Sequence, residues 1–361
     1  MKILHIVEDF SIKSGGLRTV IKNLNIELQK MGYGSYILSS DKEKEDEIYI
    51  VDAKNKPWMY SKQWKQKLNE VVSQKQINII HIHGVWLYPH YLAAKFALKN
   101  KIPFVLSIHG MYEPWLWKKG TLKKTLYFHL LVKKLFVKAA VIHTITPFET
   151  KNVITLLKKP SIVEIPNLIH IPQKEVKTDS VTKYILYLGR LDEKKGIKLL
   201  IKALKKIDNN EVILKIAGES NSYKEELKML INNLGLQNRV SFLGLVKKNK
   251  KIKIIREAFI LVAPSYSEVI GMVNLEAAVL KTPVITTYQT GLNTNWNENG
   301  GKLINPNVNE LTENLNETLN WSIDKRNKEG EKLYRFVSKN YSWEGRINDW
   351  IQLYKTSKNE I

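Results

Sequence analysis

Short, largely apolar runs alternate with amphipathic stretches along almost the entire chain. This alternation narrows the possible folds more than any single motif. Residues 1–10 contain the run Lys-Ile-Leu-His-Ile-Val and read as a buried strand, and residues 14–16 (Ser-Gly-Gly) as a glycine-rich turn. The stretch after it carries Leu17, Val20, Ile21, Leu24 and Leu28 at helical spacing. Further short strands are expected near 35–39, at Ile77–Ile82, at Phe104–Ile108 and at Val141–Thr146, the last stopped by Pro147. The polar stretch 41–48 reads as a loop, and 166–182, with Pro166 and Pro172, as a linker. A second alternation runs from Tyr184 to about residue 340. The final segment, Trp343–Tyr354, is expected to be a helix with Trp343, Ile347, Trp350, Ile351 and Tyr354 as its apolar positions. The expectation is an α/β protein, and 361 residues are enough for two domains.

Two carboxylates stand out in the second alternation. Glu268 and Glu276 are eight positions apart, after the apolar run Ala258–Ser265 and around a helix expected over Gly271–Leu280. Glu268 is placed in the loop at the strand's carboxyl end, and Glu276 about two turns into the helix. Between them the helix start offers free backbone N–H groups at Gly271, Met272 and Val273. A ligand with hydroxyls at both ends and a diphosphate in the middle suits this spacing, and a nucleotide-sugar has that shape. A surface Glu beside an unrelated helix Glu has the same spacing. Upstream, Tyr184–Leu188 runs into Gly189-Arg190, and Lys195-Gly196 opens an amphipathic helix with Leu199, Leu200, Ala203, Leu204 and Ile207. That places a guanidinium and an ammonium at the carboxyl edge of a sheet, where open α/β folds bind ligands. Arg grips phosphate oxygens with two N–H groups and Lys adds a mobile point charge.

Taken together, Gly189-Arg190-Leu191 with Lys195-Gly196, Pro264-Ser265 with Glu268, then Gly271, Glu276 and Pro283-Val284-Ile285, resemble the retaining glycosyltransferases of family 4. In the first half, Ser14-Gly15-Gly16, His81-Ile82-His83-Gly84 and Ser107-Ile108-His109-Gly110-Met111 followed by Pro114-Trp115 match as well. The resemblance implies the GT-B fold: two Rossmann-like domains facing each other across a cleft, with a C-terminal helix that crosses back to the first. It implies an N-terminal acceptor domain over 1–168 plus the helix 343–361, and a nucleotide-sugar domain over 169–342. It further implies that Glu276 binds the ribose and that Arg190, Lys195 and the N–H groups of Gly271–Val273 hold the diphosphate. Glu268 would support the donor sugar, His109 would lie near it, and Gly15 and Gly16 would let the backbone approach the donor. His83 is expected to line the cleft; His81 and His83 share one strand face, but no carboxylate pattern marks them as a metal pair. A front-face mechanism is implied, in which the leaving phosphate takes the acceptor's proton. No covalent nucleophile stands out, and double displacement is left open. The chain departs from the family at Val269-Ile270, where Gly-Phe is usual, and at Thr290–Thr294, which lacks the usual Glu. Both departures bear on the sugar more than on the reaction.

There is no cysteine, hence no disulfide or thiolate metal site, and no Asp-x-Asp motif, so activity without a metal or other cofactor is expected. The N-terminal apolar run meets Glu8 and Asp9 too soon for a signal peptide, and a cytoplasmic protein is expected. Lys+Arg number 57 against 35 Asp+Glu, a formal charge of +22. A lysine-rich surface bias, nucleic acid and an anionic membrane all suit that excess. No helix-turn-helix, zinc-finger spacing or RRM signature is present. Residues 118–138 place lysine pairs beside Leu, Tyr, Phe and Val, downstream of Trp115 and Trp117, a pattern suited to a lipid interface. The expected function is transfer of a sugar from a UDP- or GDP-sugar to a saccharide acceptor, lipid-linked, in surface polysaccharide synthesis at the inner face of the membrane. The alternatives are a nucleotide-sugar epimerase of the same architecture and a basic nucleic-acid binder.

Overall fold

The computed structural model describes residues 1–11, 14–42, 48–54, 56–113, 120–158, 161–172 and 181–359. Expectations that fall on Pro114, Trp115, Trp117, Lys118, Lys119 and on residues 173–180 of the linker lie outside the described residues. The chain forms two compact units, Met1–Asn167 with Arg346–Ile361, and Leu168–Gly345.

In the first unit seven strands form one sheet: β1 (Lys2–Val7), β2 (Gly34–Ser39), β3 (Tyr49–Ile50), β4 (Ile79–His83), β5 (Phe104–Ser107), β6 (Val141–Thr144) and β7 (Ile162–Glu164). Their order is β3-β2-β1-β4-β5-β6-β7, and every pair is parallel. The strands are buried on both faces because helices cover both. On one side Ile80, Ile82, Phe104 and Leu106 join Trp64, Ala94 and Phe128 in a buried core. The other side is polar at its centre, as described below. The last helix, Trp343–Asn359, starts where expected and runs past Tyr354 within the implied span 343–361, and from Arg346 onward it belongs to this first unit.

The second unit repeats the plan with β8 (Thr182–Leu188), β9 (Ile213–Ala217), β10 (Val240–Gly244), β11 (Ala258–Ala263), β12 (Val284–Thr287) and β13 (Lys302–Ile304), in the order β10-β9-β8-β11-β12-β13. Again all pairs are parallel. Ile185, Leu200, Leu204, Ile216 and Phe259 lie in its core. Both sheets are Rossmann-like, and in each the strand order reverses once: between β1 and β4, and between β8 and β11. Such a reversal opens a crevice at the carboxyl ends of the strands, because the two following loops diverge to opposite faces. Among the described residues no helix is long and apolar enough to cross a membrane.

Candidate functional site

The reversal in the second unit brings together the two motifs read from its sequence. The loop after β8 holds Gly189, Arg190 and Lys195, and the loop after β11 holds Glu268. Lys195 Nζ and a Glu268 carboxylate oxygen form a close ion pair, with both side chains about four-fifths buried. Backbone bonds tie the loops in place. Tyr266 N donates to Lys194 O at 2.9 Å, and Glu268 N donates to Gln289 O at 3.0 Å. The Tyr187 hydroxyl donates to Arg190 O at 2.8 Å, while the Arg190 side chain is exposed and has no hydrogen-bond partner among the described residues. Gly196 is indispensable to this packing. Its φ is +68°, and a Cβ there would run into the Pro264 carbonyl.

Gly271, Met272 and Val273 start the next helix, Met272–Ala278. A Cβ on Gly271 would lie 3.6 Å from Glu268 Cγ, so this glycine sits directly beside the carboxylate. Glu276 lies four residues past the helix's first residue, Met272, which is about one turn into it and not two. It pairs with Lys251 at 2.7 Å, a residue that sequence reading passed over. Lys251 lies on the helix Lys248–Glu257, inside a lysine-rich run where nothing local singles it out. The pair borders a cavity of about 230 Å³ whose other walls include Ile252, Ile255, Val279 and Leu280. Asn274, fully buried, donates to Thr286 Oγ1 at 3.2 Å and leaves its own Oδ1 without a partner.

The remaining site candidates belong to the first unit. Gly15 precedes the helix Gly16–Lys30 with φ +63°, and a Cβ at Gly15 or Gly16 would meet nothing within 4 Å. His109, just after β5, has φ +54°, a strained value for a non-glycine residue. The buried Glu149 carboxylate holds that turn, accepting from Gly110 N at 2.5 Å and Ile145 N at 2.7 Å. Burial pushes the Glu149 carboxyl up to about 7, against the pull of those two N–H groups. His83 does not line an open surface as expected. It is completely buried, bonded to His5 Nδ1 at 2.9 Å on one side and to His109 Nε2 at 2.9 Å on the other. His81 and His83 do share a face, with ring centroids 3.9 Å apart. Nitrogens of His5, His81 and His83 lie within 4.8 Å of one another, close enough for one ion. Every one of those nitrogens is already hydrogen-bonded, however, and no carboxylate is among their partners.

Both halves of the chain match glycosyltransferase family models. Residues 171–336 match the family model described as Glycosyl transferases group 1, and residues 14–171 match Glycosyltransferase Family 4. An uncharacterized glycosyltransferase of Methanocaldococcus jannaschii is 28% identical over 343 residues, 91% of each chain. The alpha-monoglucosyldiacylglycerol synthase of Streptococcus pneumoniae is 24% identical over 81% of this chain and 72% of its own. Among solved structures, Anabaena HepE in complex with UDP superposes with a TM-score of 0.78 at 19% identity, covering 99% of this chain and all of that one.

Proposed function

From the premise that the chain belongs to the group 1 glycosyltransferases of family 4, with the GT-B fold, we propose that it transfers a sugar from a UDP- or GDP-sugar to a saccharide acceptor with retention of configuration. The observation that carries this reading is the meeting of Lys195 and Glu268 at the strand-order reversal of the second unit. Two loops from different parts of the sequence put a cation and a carboxylate where α/β sheets bind ligands. In this reading Arg190, Lys195 and the N–H groups of Gly271, Met272 and Val273 hold the donor diphosphate and stabilise its growing charge as the glycosidic bond breaks. Glu276 releases Lys251 to bind the ribose, and the adjoining apolar cavity takes the base. Glu268 and His109 hydrogen-bond the transferred sugar, and Gly15-Gly16 admits the donor without a Cβ in the way. The UDP bound to the structurally similar HepE favours a nucleotide donor. No metal or other cofactor is needed, because Arg190 and Lys195 supply the positive charge. Turnover in excess EDTA tests that point, and loss restored by Mg²⁺ or Mn²⁺ would refute it.

The first unit is proposed to hold the acceptor, a lipid-linked saccharide of surface polysaccharide synthesis, at the inner face of an anionic membrane. The support is a stretch covering helical residues Thr121–Tyr127, a π-helical turn Phe128–Val132 and helix Lys133–Phe136. Phe128, Val132 and Phe136 are buried in the core, whereas Leu122 and Leu130 are 75% and 69% exposed and Leu126 and Leu131 are also exposed. Apolar side chains left in water beside lysines suit a lipid interface. The deciding experiment incubates the protein with a panel of UDP- and GDP-sugars, with and without membrane lipid extract, and measures nucleoside diphosphate release. Release that requires the extract is expected. Conversion of the sugar nucleotide without an acceptor would instead identify an epimerase, and no turnover of any donor would remove the enzymatic reading.

A further inference from the structure

One face of the first sheet carries a belt of polar side chains that the proposed reaction does not use directly. Ser35 on β2, His5 on β1, His81 and His83 on β4, Ser107 on β5 and His143 on β6 are all buried. The register sets His5 opposite His81, and Ser107 between His83 and His143. The terminal helix covers them, with Trp350 against His143 and His81. The hydrogen bonds form two separate chains.

In the first chain the Tyr354 hydroxyl meets His81 Nδ1 at 2.8 Å, and His81 Nε2 meets Ser107 Oγ at 2.7 Å. Ser107 Oγ then meets His143 Nδ1 at 2.7 Å, and His143 Nε2 meets the Ile165 carbonyl at 2.8 Å. A carbonyl only accepts, so His143 carries its proton on Nε2 and accepts on Nδ1. Ser107 has one proton and gives it to His143, so it accepts from His81 Nε2–H. His81 Nδ1 then accepts from Tyr354. The backbone carbonyl at one end thereby settles the tautomer of each ring.

The second chain runs from Ser35 Oγ to His5 Nε2 at 3.1 Å, from His5 Nδ1 to His83 Nε2 at 2.9 Å, and from His83 Nδ1 to His109 Nε2 at 2.9 Å. A neutral imidazole donates from one nitrogen and accepts at the other, so the three rings point their protons the same way along the chain. Only two settings exist. If Ser35 accepts, its own hydroxyl proton has no acceptor among the described residues, inside a buried site where an unpaired donor is costly. If Ser35 donates, every proton within the chain is paired. His109 then accepts at Nε2 and presents Nδ1–H, a nitrogen with no partner among the described residues. Burial holds His5 and His109 at about 3, far below the usual imidazole value, so these rings are neutral at ordinary pH.

We propose that Ser35, His5 and His83 are positioning residues that set the tautomer of His109, making it a hydrogen-bond donor through Nδ1 toward bound substrate and not a general base. This rests on the reading above in which His109 touches the transferred sugar. It adds that the substrate atom met by His109 is an oxygen acceptor, and that the control lies three side chains away on β2.

The test uses the full chain labelled with ¹⁵N-histidine and long-range ¹H–¹⁵N correlation spectra, which distinguish protonated from unprotonated ring nitrogens. His109 is assigned by its loss in His109→Gln. In the wild type His109 is expected to be protonated at Nδ1. In Ser35→Ala it is expected to become a mixture of tautomers, and in Ser35→Thr, which keeps the hydroxyl, to return. Thermal unfolding verifies that each variant is folded. Protonation of wild-type His109 at Nε2, or an unchanged pattern in a folded Ser35→Ala, would overturn the proposal. Turnover provides the second arm. Ser35→Ala should lower kcat several-fold, and adding it to His109→Gln should cost nothing further, because the two act through one group. Independent losses would overturn the positioning role. Full activity in His109→Gln, with the tautomer shift intact, would remove the reading of His109 as a sugar contact and leave the hydrogen-bond chain standing.

Discussion

The two sheets reverse strand order at the same topological place, yet they surround that place with opposite chemistry. In the second unit the reversal between β8 and β11 is flanked by loops carrying the ion pair Lys195–Glu268, with Lys251–Glu276 nearby, all partly accessible to water. In the first unit the reversal between β1 and β4 is flanked by His5, His81 and His83, wholly buried and neutral. One topology serves two purposes because the crevice belongs to the loops, while the strands beneath can be filled with any side chains that satisfy one another. Charges stay where a polar ligand can replace water around them. The buried belt contains only groups able to pair internally, since an unpaired charge there would be prohibitively costly.

The largest expected effect breaks the comparison with acid. Burial holds His5 and His109 at about 3 and His143 at about 4, with His81 and His83 also well below the usual 6.5. Their folded values are depressed, so the stability they contribute is present above 6.5 and is lost as the pH falls toward the folded values. Each ring then costs about 1.4 kcal/mol per pH unit. Glu149 opposes this. Its carboxyl is raised to about 7, so its contribution is present below the usual 4.5 and lost as the pH rises through 7. One carboxyl does not offset five rings. Hydrogen exchange followed from pH 7 downward should therefore show the first unit opening while the second keeps its protection; equal loss in both would end the contrast.

A change in the lysine-rich stretch of the first unit should separate the two units' tasks. Neutralising Lys118, Lys119, Lys123 and Lys124 removes roughly 1 kcal/mol each of attraction to an anionic surface, on the order of a thousandfold together. Co-sedimentation with anionic vesicles should fall accordingly, and wild-type binding should weaken at high salt. Donor affinity should hardly move. A parallel loss of donor affinity would show that these lysines serve the donor site or the fold.

At the charged reversal, Arg190→Ala and Lys195→Ala should each lower turnover about a hundredfold, on the order of 3 kcal/mol, with thermal unfolding retained. Normal rates in either folded variant would dismiss the diphosphate role. The smallest effect concerns Lys251. Its pair with Glu276 is partly exposed and worth at most about 1 kcal/mol. Lys251→Met should thus tighten donor binding by no more than about fivefold, read as a lower KM. Weaker binding would mean that Lys251 touches the donor itself.

Much of this was legible in the chain. The central strands announce themselves as largely apolar runs because a parallel sheet buries both faces, and β1, β2, β4, β5, β6, β8 and β11 are legible in that way. The short strands β3 and β7 carry too little pattern to be seen. Motifs such as Gly189–Gly196 and Pro264–Glu268 were visible because a tight loop at a sheet edge demands particular residues in order, Gly196 above all. The sequence alone therefore determined the fold class and the local chemistry of each loop. Tertiary structure decided which side chains meet. Lys251 reaches Glu276 across 25 positions, and Tyr354 reaches His81 across 273, distances over which no periodicity carries information. His83, expected to line the cleft, is buried for the same reason: a strand's alternation says which residues share a face, but what covers that face is decided by a helix from the far end of the chain.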